Sequence, residues 1–212
     1  GRPLELLADG TLQYVVANNI QIFSPAGDLV REIRASAPPQ WRIHHDVAAM
    51  PDGGFVILDN QVVEQDVDFF GGPTLVNGDL LRHLDADGAI LWTWSTFDHL
   101  DIQRWPGEWS QTSIEHGDGG VAEWTHGNSV EWHEPTGSLI VSLRHQNQVI
   151  AVERETGAVQ WQLGADGDFE LLSGSWFNTQ HAASMPSDDE VLLFDNDNEG
   201  DEDSRAVRYR LD

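Results

Sequence analysis

The sequence predicts an all-β fold made of repeated antiparallel hairpins, and three observations support this prediction. Short apolar stretches rich in Val, Ile, Leu and Trp dominate the chain. Turn sequences such as DG, PDGG, PTG and NG separate these stretches. Helical periodicity is almost absent. Together these features are typical of consecutive antiparallel strands joined by tight turns.

Two motifs recur along the chain. The first is a strand, an Asp/Gly turn and a second strand, which carries Trp in LLRHLDADGAILWTW (80–94) and VIAVERETGAVQWQLG (149–164), and lacks it in NIQIFSPAGDLVREI (19–33). The second motif reads HHDVAAMPDGGFVILDN (44–60), HGNSVEWHEPTGSLIVSLR (126–144) and QHAASMPSDDEVLLFDN (180–196). Joined, they form a unit of about four strands, which is the sequence signature of a β-propeller blade. The recurring Trp is expected to pack between blades.

The repeat count predicts a single β-propeller domain, or a fragment of one, over residues 1–212. We expect a partial blade at the start, two fuller blades, and an incomplete C-terminal blade without its Trp-bearing outer strand, so that the chain covers about three to four blades. The insertions at 61–79 and 97–124 are expected to be long loops at the ligand-binding end. An open arc of blades would expose sheet faces and favour homo-oligomers.

Charge is the strongest compositional feature. The chain has 36 acidic and 11 basic residues, all 11 of them Arg, for a formal net charge of −25. Such a surface excludes nucleic acid and anionic membranes as partners, because both require basic patches. Adaptation to high salt explains the charge best, since salt screens the repulsion between carboxylates. A cation-binding role for the acidic stretch 195–205 is the alternative, but this stretch lacks a complete calcium-loop pattern.

Three features that the sequence lacks bear on the kinds of site and segment it can contain. Without cysteine, neither a disulfide nor a thiolate metal site can form. No apolar run is long enough to span a membrane. The segment GRPLELLADG lacks the pattern of a secretory signal, although a processed chain would lack it too.

Histidines at the starts of the second motif are the main candidate functional residues. These are His44, His45, His126 and His181. Equivalent ends of the innermost strands converge at a propeller axis, so these residues are expected to face one another. Asn128 lies two residues after His126, on the same side of an extended strand. The remaining histidines, at positions 83, 99, 116, 133 and 145, are expected at the surface or rim.

The candidate cluster favours an oxyanion ligand. Arg144 ends the hairpin that begins at His126, and a guanidinium fork matches a tetrahedral oxyanion. A zinc site built from the histidines is an alternative, but Arg144 would repel a bound cation. A third interpretation is that each histidine only caps the end of a strand. We therefore expect no metal.

The combination of HHD before a hairpin, HGNS followed by SLR, and FNTQH before LLFDN resembles the bacterial and archaeal arylsulfate sulfotransferases. The resemblance runs from about residue 40 to the end of the chain. It implies a six-bladed β-propeller that moves a sulfuryl group from a phenolic sulfate ester to a phenol, without a nucleotide sulfate donor or another cofactor. It also implies an extracytoplasmic location, whereas the cytoplasm of a halophile remains open.

Roles for individual residues follow from this resemblance. It implies that His181 is the nucleophile of a ping-pong reaction through a sulfohistidine. His126, His45, Arg144 and Asn128 would complete the catalytic set. A proton donor for the leaving aryl oxide is needed, and His126 or His45 could serve. The substrate-binding candidates are His44 together with aromatic side chains that could wall an aryl pocket or only pack loops, namely Trp105, Trp109, Trp124 and Trp176.

Other functions stay open at this point. One is a non-catalytic propeller module that binds an anion or a protein partner. Another is a quinoprotein-like redox propeller, which only the TGAVQW element supports.

Overall fold

The computed structural model describes residues 4–35, 39–105, 113–115, 120–197 and 203–212. It is an all-β structure whose strands form four sheets in chain order. The first sheet is an antiparallel meander of β1 (Leu4–Leu6), β2 (Leu12–Val16), β3 (Asn19–Phe23) and β4 (Leu29–Arg34). The start of the chain therefore forms a four-stranded sheet, and the prediction of a partial unit there was wrong.

The second sheet is the largest. Its strands are β5 (Val47–Ala49), β6 (Phe55–Val67), β7 (Gly72–Leu84), β8 (Ile90–Ser95), β9 (Ser113–Glu115) and β10 (Gly120–Glu123), with one short helix, α1 (Thr96–His99), after β8. The insertion 61–79 was predicted as a loop, which was wrong. It extends the β6–β7 hairpin, with continuous pairing from Phe55 opposite Leu84 to Val67 opposite Gly72. Residues 61–66 and 72–75 of this ribbon alternate between exposed and partly buried positions, as expected for side chains on its two faces.

The last two sheets repeat the meander. The third comprises β11 (Gly127–His133), β12 (Ser138–Leu143), β13 (Gln148–Glu153) and β14 (Val159–Leu163). The fourth comprises β15 (His181–Ser187), β16 (Glu190–Asp195) and β17 (Arg205–Arg210). Within the described residues this sheet has three strands, and the incompleteness of a C-terminal blade stays a prediction.

Apolar layers lie between successive sheets. Strands β12 and β13 are buried on both faces, so their alternating side chains enter the layers on either side of the third sheet. Representative pairs across the layers are Ile20 with Ile57, Leu81 with Val141, and Val149 with Leu193. Trp94 is buried between the second and third sheets, and its Nε1 donates to the carbonyl of Gly157 at 2.8 Å. The prediction that this repeated Trp packs between units is confirmed.

The first strands of the last three sheets lie side by side, and this positions the candidate site. Strand β11 contacts both β5 and β15. Side-chain bonds to backbone reinforce the arrangement, since Asp46 accepts from the N–H of Val130 and Ser129 accepts from the N–H of Ala183. No helix in the described part of the chain is long and apolar enough to cross a membrane.

Candidate functional site

The predicted histidines come together where these neighbouring strands begin. His45 lies just before β5, His126 directly precedes β11, and His181 is the first residue of β15. The rings of His45 and His126 have centroids 4.8 Å apart, and those of His44 and His45 are 5.3 Å apart. His181 interacts electrostatically with His45, His126 and Arg144. The structure therefore brings the candidate histidines of three sheets into one cluster.

Backbone geometry at these residues is unusual. His45 has φ 57° and His126 has φ 49°, both in the left-handed region that non-glycine residues rarely adopt. Thr179 and Ala182, which flank His181, have φ 49° and 54°. Such conformations cost about 1 kcal/mol or more each and concentrate at functional sites, where surrounding contacts hold them. Here the His126 carbonyl accepts from the N–H of Arg144 at 3.1 Å.

The two other predicted catalytic residues lie in the same cluster. Arg144 begins a 3₁₀ turn directly after β12 and is 9% exposed. Its charge helps to lower the pKa of His181. Asn128 is 7% exposed, and its Nδ2 donates to the Gln180 carbonyl at 2.6 Å. Asn128 thus connects strand β11 to the residue before His181.

The loop that carries His181 is fixed to the third sheet. Gln180 is fully buried, and its Nε2 donates to Ser142 Oγ, Leu143 O and Gln148 O at 3.0, 3.2 and 2.9 Å. The backbone N–H of Thr179 donates to Asn147 Oδ1 at 2.7 Å. The Gln of the QH element therefore positions the following histidine.

His181 is oriented by its own loop. Its Nδ1 lies 3.3 Å from the carbonyl oxygen of Thr179, which can only accept. Nδ1 therefore carries the proton of the neutral ring, and Nε2 carries the lone pair. Burial lowers the pKa of His181, helped by the charges of Arg144 and His126. A neutral imidazole with a lone pair on Nε2 is competent as a nucleophile.

Two carboxylates that the sequence did not single out support the cluster. Asp79 Oδ1 lies 2.9 Å from His44 Nε2, and Glu123 Oε1 lies 2.7 Å from His126 Nδ1. Asp79 also accepts from the N–H of Gly127 at 2.7 Å and from Thr125 Oγ1. A Cβ at Gly127 would stand 3.0 Å from the Asp79 carboxyl carbon, which explains the glycine of the HGN element. No local motif marks Asp79, because it lies far from Gly127 in the sequence.

His145 is a further member that sequence reasoning missed. It was expected at the surface, but it is 4% exposed and its ring stacks on that of His126, with centroids 4.6 Å apart. Burial lowers its pKa to about 4, helped by the charge of His126. Its position directly after Arg144 was the available signal. His83 and His133 are also buried, and the prediction that these three lie at the surface was wrong.

The predicted aromatic residues lie in packing positions. Trp124 is fully buried, stacks on Phe97 at 5.3 Å and donates to the Arg104 carbonyl at 2.9 Å. Trp176 stacks on Tyr209 at 5.5 Å beside the core between the third and fourth sheets. Trp105 contacts Phe70 edge-on. Their roles in substrate binding stay predictions, and Trp109 and His116 lie outside the described residues.

Comparison with known proteins places the chain in a family. The sequence model of the family described as Arylsulfotransferase (ASST) matches residues 2–212. The chain belongs to the arylsulfotransferase family. This confirms the resemblance inferred from its motifs.

Other comparisons give distant matches. A search of curated proteins found no match to this arylsulfotransferase-family chain. Among solved structures, a protein of unknown function from Bacteroides caccae is 10% identical, with a TM-score of 0.45, covering 95% of this chain and 74% of that one. The PQQ-bound aldose sugar dehydrogenase from Streptomyces coelicolor is 12% identical, with a TM-score of 0.31, covering 98% and 92%.

One group in this arylsulfotransferase-family chain has the spacing of metal ligands. Donor atoms of Glu123, His126 and His145 all lie within 4.8 Å of one another. Two features weigh against a metal ion there. The nearly parallel stacking of the two imidazoles, 23° between planes, does not direct their lone pairs at one point, and the Arg144 charge acts on His145.

Proposed function

We propose that the chain is an arylsulfate sulfotransferase that moves a sulfuryl group from a phenolic sulfate ester to a phenol through a sulfated histidine. No nucleotide sulfate donor is needed in this scheme. The observation that carries the proposal is the convergence of His45, His126, His181 and Arg144 in a chain of the arylsulfotransferase family.

His181 is the nucleophile in this proposal. Its Nε2 attacks sulfur as the bond to the aryl oxide breaks, which yields sulfohistidine and a phenol. An acceptor phenol then attacks the same sulfur and regenerates the histidine. Two steps through a covalent intermediate replace one difficult direct transfer.

Arg144, Asn128 and His126 hold the sulfuryl oxygens. Charge on these oxygens is best stabilised by donors that are already fixed before the reaction. Arg144 is almost fully buried, and Asn128 is tied by one Nδ2 hydrogen to Gln180, which leaves the second for an anion. The contact with Glu123 fixes the His126 ring. This arrangement supports tight positioning of a tetrahedral group.

We further propose that the four sheets are successive blades of a β-propeller. The support is their meander topology, the apolar layers between neighbouring sheets, and the adjacency of the first strands of the last three sheets. The family resemblance implies six blades in a complete propeller, of which this chain would supply about three to four.

The acidic surface supports a working environment of high salt. With a net charge of −25, repulsion between exposed carboxylates opposes the folded state, and salt screens it. The melting temperature should therefore rise as potassium chloride increases from dilute buffer to molar concentrations. An unchanged melting temperature would contradict this part of the proposal.

The test of function is release of a coloured phenol from 4-nitrophenyl sulfate. We expect release that depends on an added phenol and yields an equal amount of the new aryl sulfate. Treatment with EDTA should leave the rate unchanged. Thermal stabilisation by sulfate without turnover would instead favour a binding module, and loss of turnover with EDTA would favour a metal at the Glu123 group.

A further inference from the structure

A chain of polar contacts leads from a buried carboxylate to His45. Asp79 Oδ1 lies 2.9 Å from His44 Nε2, and His44 Nδ1 lies 3.0 Å from His45 Nδ1. Asp79 is 3% exposed, whereas the side chain of His44 is 26% exposed. The chain thus runs from the interior toward the cluster, with His44 behind His45.

The partners of His44 determine where its protons lie. Nε2 faces two groups that can only accept, the Asp79 carboxylate and the Asp59 carbonyl oxygen at 3.1 Å. Nε2 must therefore carry a hydrogen. The contact between the two Nδ1 atoms needs one further proton, which either ring can hold.

Charge decides which ring holds that proton. Burial by itself would lower the pKa of His44, but the hydrogen bond and charge of Asp79, with a smaller effect from Asp59, outweigh it and raise that pKa. Burial lowers the pKa of His45 to about 4, helped by the charges of His126 and His44. These shifts favour His44 as the imidazolium that donates and His45 as the neutral ring that accepts at Nδ1. The hydrogen of neutral His45 then lies on Nε2.

The backbone holds this array in place. The His44 N–H donates to the Leu58 carbonyl at 3.0 Å, and its carbonyl accepts from the Asp46 N–H at 2.7 Å. The left-handed conformation of His45 turns its ring back toward His44. Adjacent histidines in an extended strand would instead point to opposite sides.

We propose that Asp79, His44 and His45 form a proton relay that serves both half-reactions of sulfuryl transfer. This inference rests on the proposed function. It assigns His45 as the catalytic acid and base, and His44 and Asp79 as positioning residues that act through it. His44, predicted from the sequence to bind substrate, has a different role in this proposal.

The proton balance closes in each half-reaction. In the first, the His181–sulfur bond forms and the sulfur–oxygen bond breaks, while His45 Nε2 gives its proton to the aryl oxide and His44 Nδ1 passes its proton to His45 Nδ1. In the second, the acceptor phenol gives its proton to His45 Nε2, and the Nδ1 proton returns to His44. The relay therefore loses one proton when the donor's aryl oxide departs and regains it when the acceptor phenol attacks.

Donors with different leaving groups test the relay. His44→Gln keeps a side-chain N–H for Asp79 but cannot pass a proton. With phenyl sulfate, whose aryl oxide is strongly basic, we expect kcat/KM to fall about 10²-fold, as loss of general acid catalysis predicts. With 4-nitrophenyl sulfate, whose oxide needs little protonation, the loss should be only a few-fold. His99→Gln is the matched control, since His99 is exposed and stacks on Trp94 outside the cluster, and it should match wild type with both donors.

The outcomes separate the relay from the proposed function. An equal loss with both donors in His44→Gln would overturn the relay while leaving sulfuryl transfer intact. Absence of transfer by the wild-type protein with every donor would overturn the proposed function and the relay with it.

A second measurement needs no variant. Nitrogen NMR of the wild-type protein with labelled histidine should show His44 as imidazolium and His45 as the neutral Nε2–H tautomer at pH 7. The charged and titratable groups that influence the pKa values of His44 and His45 include Asp79, Asp59, His126 and His181. A neutral His44 at that pH would overturn the relay.

Discussion

Near the first strands of these sheets lie two clusters of titratable residues, and burial shifts their pKa values in opposite directions. In the histidine cluster, burial lowers the pKa of His45 and His145 to about 4. Further along, burial raises the pKa of Asp46 to about 6, and it raises that of Glu131 with help from the Asp46 charge. Both effects favour the neutral form, because a buried charge loses its hydration.

The difference between the two groups lies in their partners. Asp46 accepts from the N–H groups of Val47 and Val130, and Glu131 accepts from that of Met185. In the histidine cluster Asp79 lies 2.9 Å from His44, and this contact lowers the pKa of Asp79 to about 2 despite burial. A buried carboxylate of this protein stays ionised where a histidine pairs with it. We expect the catalytic chemistry at that pair.

The largest expected effect is at His181. His181→Ala should lower turnover of 4-nitrophenyl sulfate by about 10³-fold or more, because removing a nucleophile leaves only binding and electrostatic stabilisation. Circular dichroism should show an unchanged fold, since the partly buried ring contacts only polar groups of Thr179 and Asn196 among the hydrogen-bond partners that the structure describes. Wild-type turnover in this variant would remove His181 from the mechanism.

A substitution at Arg144 separates the effect of its positive charge from the effect of its planar guanidinium. Arg144→Lys keeps the positive charge but loses the planar fork, so we expect kcat to fall by about 10²-fold. Steady-state kinetics with saturating acceptor will measure this loss. Full activity with Lys would mean that charge alone suffices and that the oxygens are held elsewhere.

The pH profile of kcat/KM should have an acid limb below, and an alkaline limb above, the ordinary histidine pKa of 6.5. His181 must be neutral to attack, and its pKa is lowered below 6.5, so the acid limb of kcat/KM should lie below that pH. His44 must be protonated, and its pKa is raised above 6.5, so the alkaline limb should lie above it. His44→Gln should remove the alkaline limb only. A profile already halved at pH 6.5 on the acid side would contradict this assignment.

The smallest effect is expected at the carboxylates. Glu131→Gln removes a charge but can still accept from the Met185 N–H, so turnover should stay unchanged. Because the folded pKa of Glu131 is raised above 4.5, wild-type stability is lost as pH rises through that folded pKa, and the variant avoids this loss. Urea unfolding should therefore show a gain over wild type at pH 8 that disappears near pH 4. A gain that does not change with pH would point to packing rather than to charge.

Much of the fold could be predicted because its signals are local. Turn sequences and alternating apolar residues located most hairpins, and repetition of the motif aligned His45, His126 and His181. The insertion 61–79 was misassigned as a loop because its exposed ribbon buries few side chains, which weakens the apolar signal. Pairing across that ribbon depends on register, and composition does not show register.

The residues that support the site were harder to predict from the sequence. Asp79 reaches the cluster only through the pairing of distant strands, and Gln180 acts by bonds to Ser142, Leu143 and Gln148 on another sheet. Trp124 was predicted to wall an aryl pocket or to pack loops because it is an aromatic residue of an insertion, and the structure buries it fully. The position in the repeat located the candidate histidines, whereas residue type alone did not predict burial where tertiary contacts decide it.

The most direct test of the account is to trap the covalent intermediate. The protein would be incubated with 4-nitrophenyl sulfate without acceptor, digested under alkaline conditions that preserve a sulfur–nitrogen bond, and analysed by tandem mass spectrometry. The account predicts one added sulfuryl group on His181, which disappears when a phenol is added before digestion. Turnover with no sulfuryl group on His181, or with the group on another residue, would contradict it.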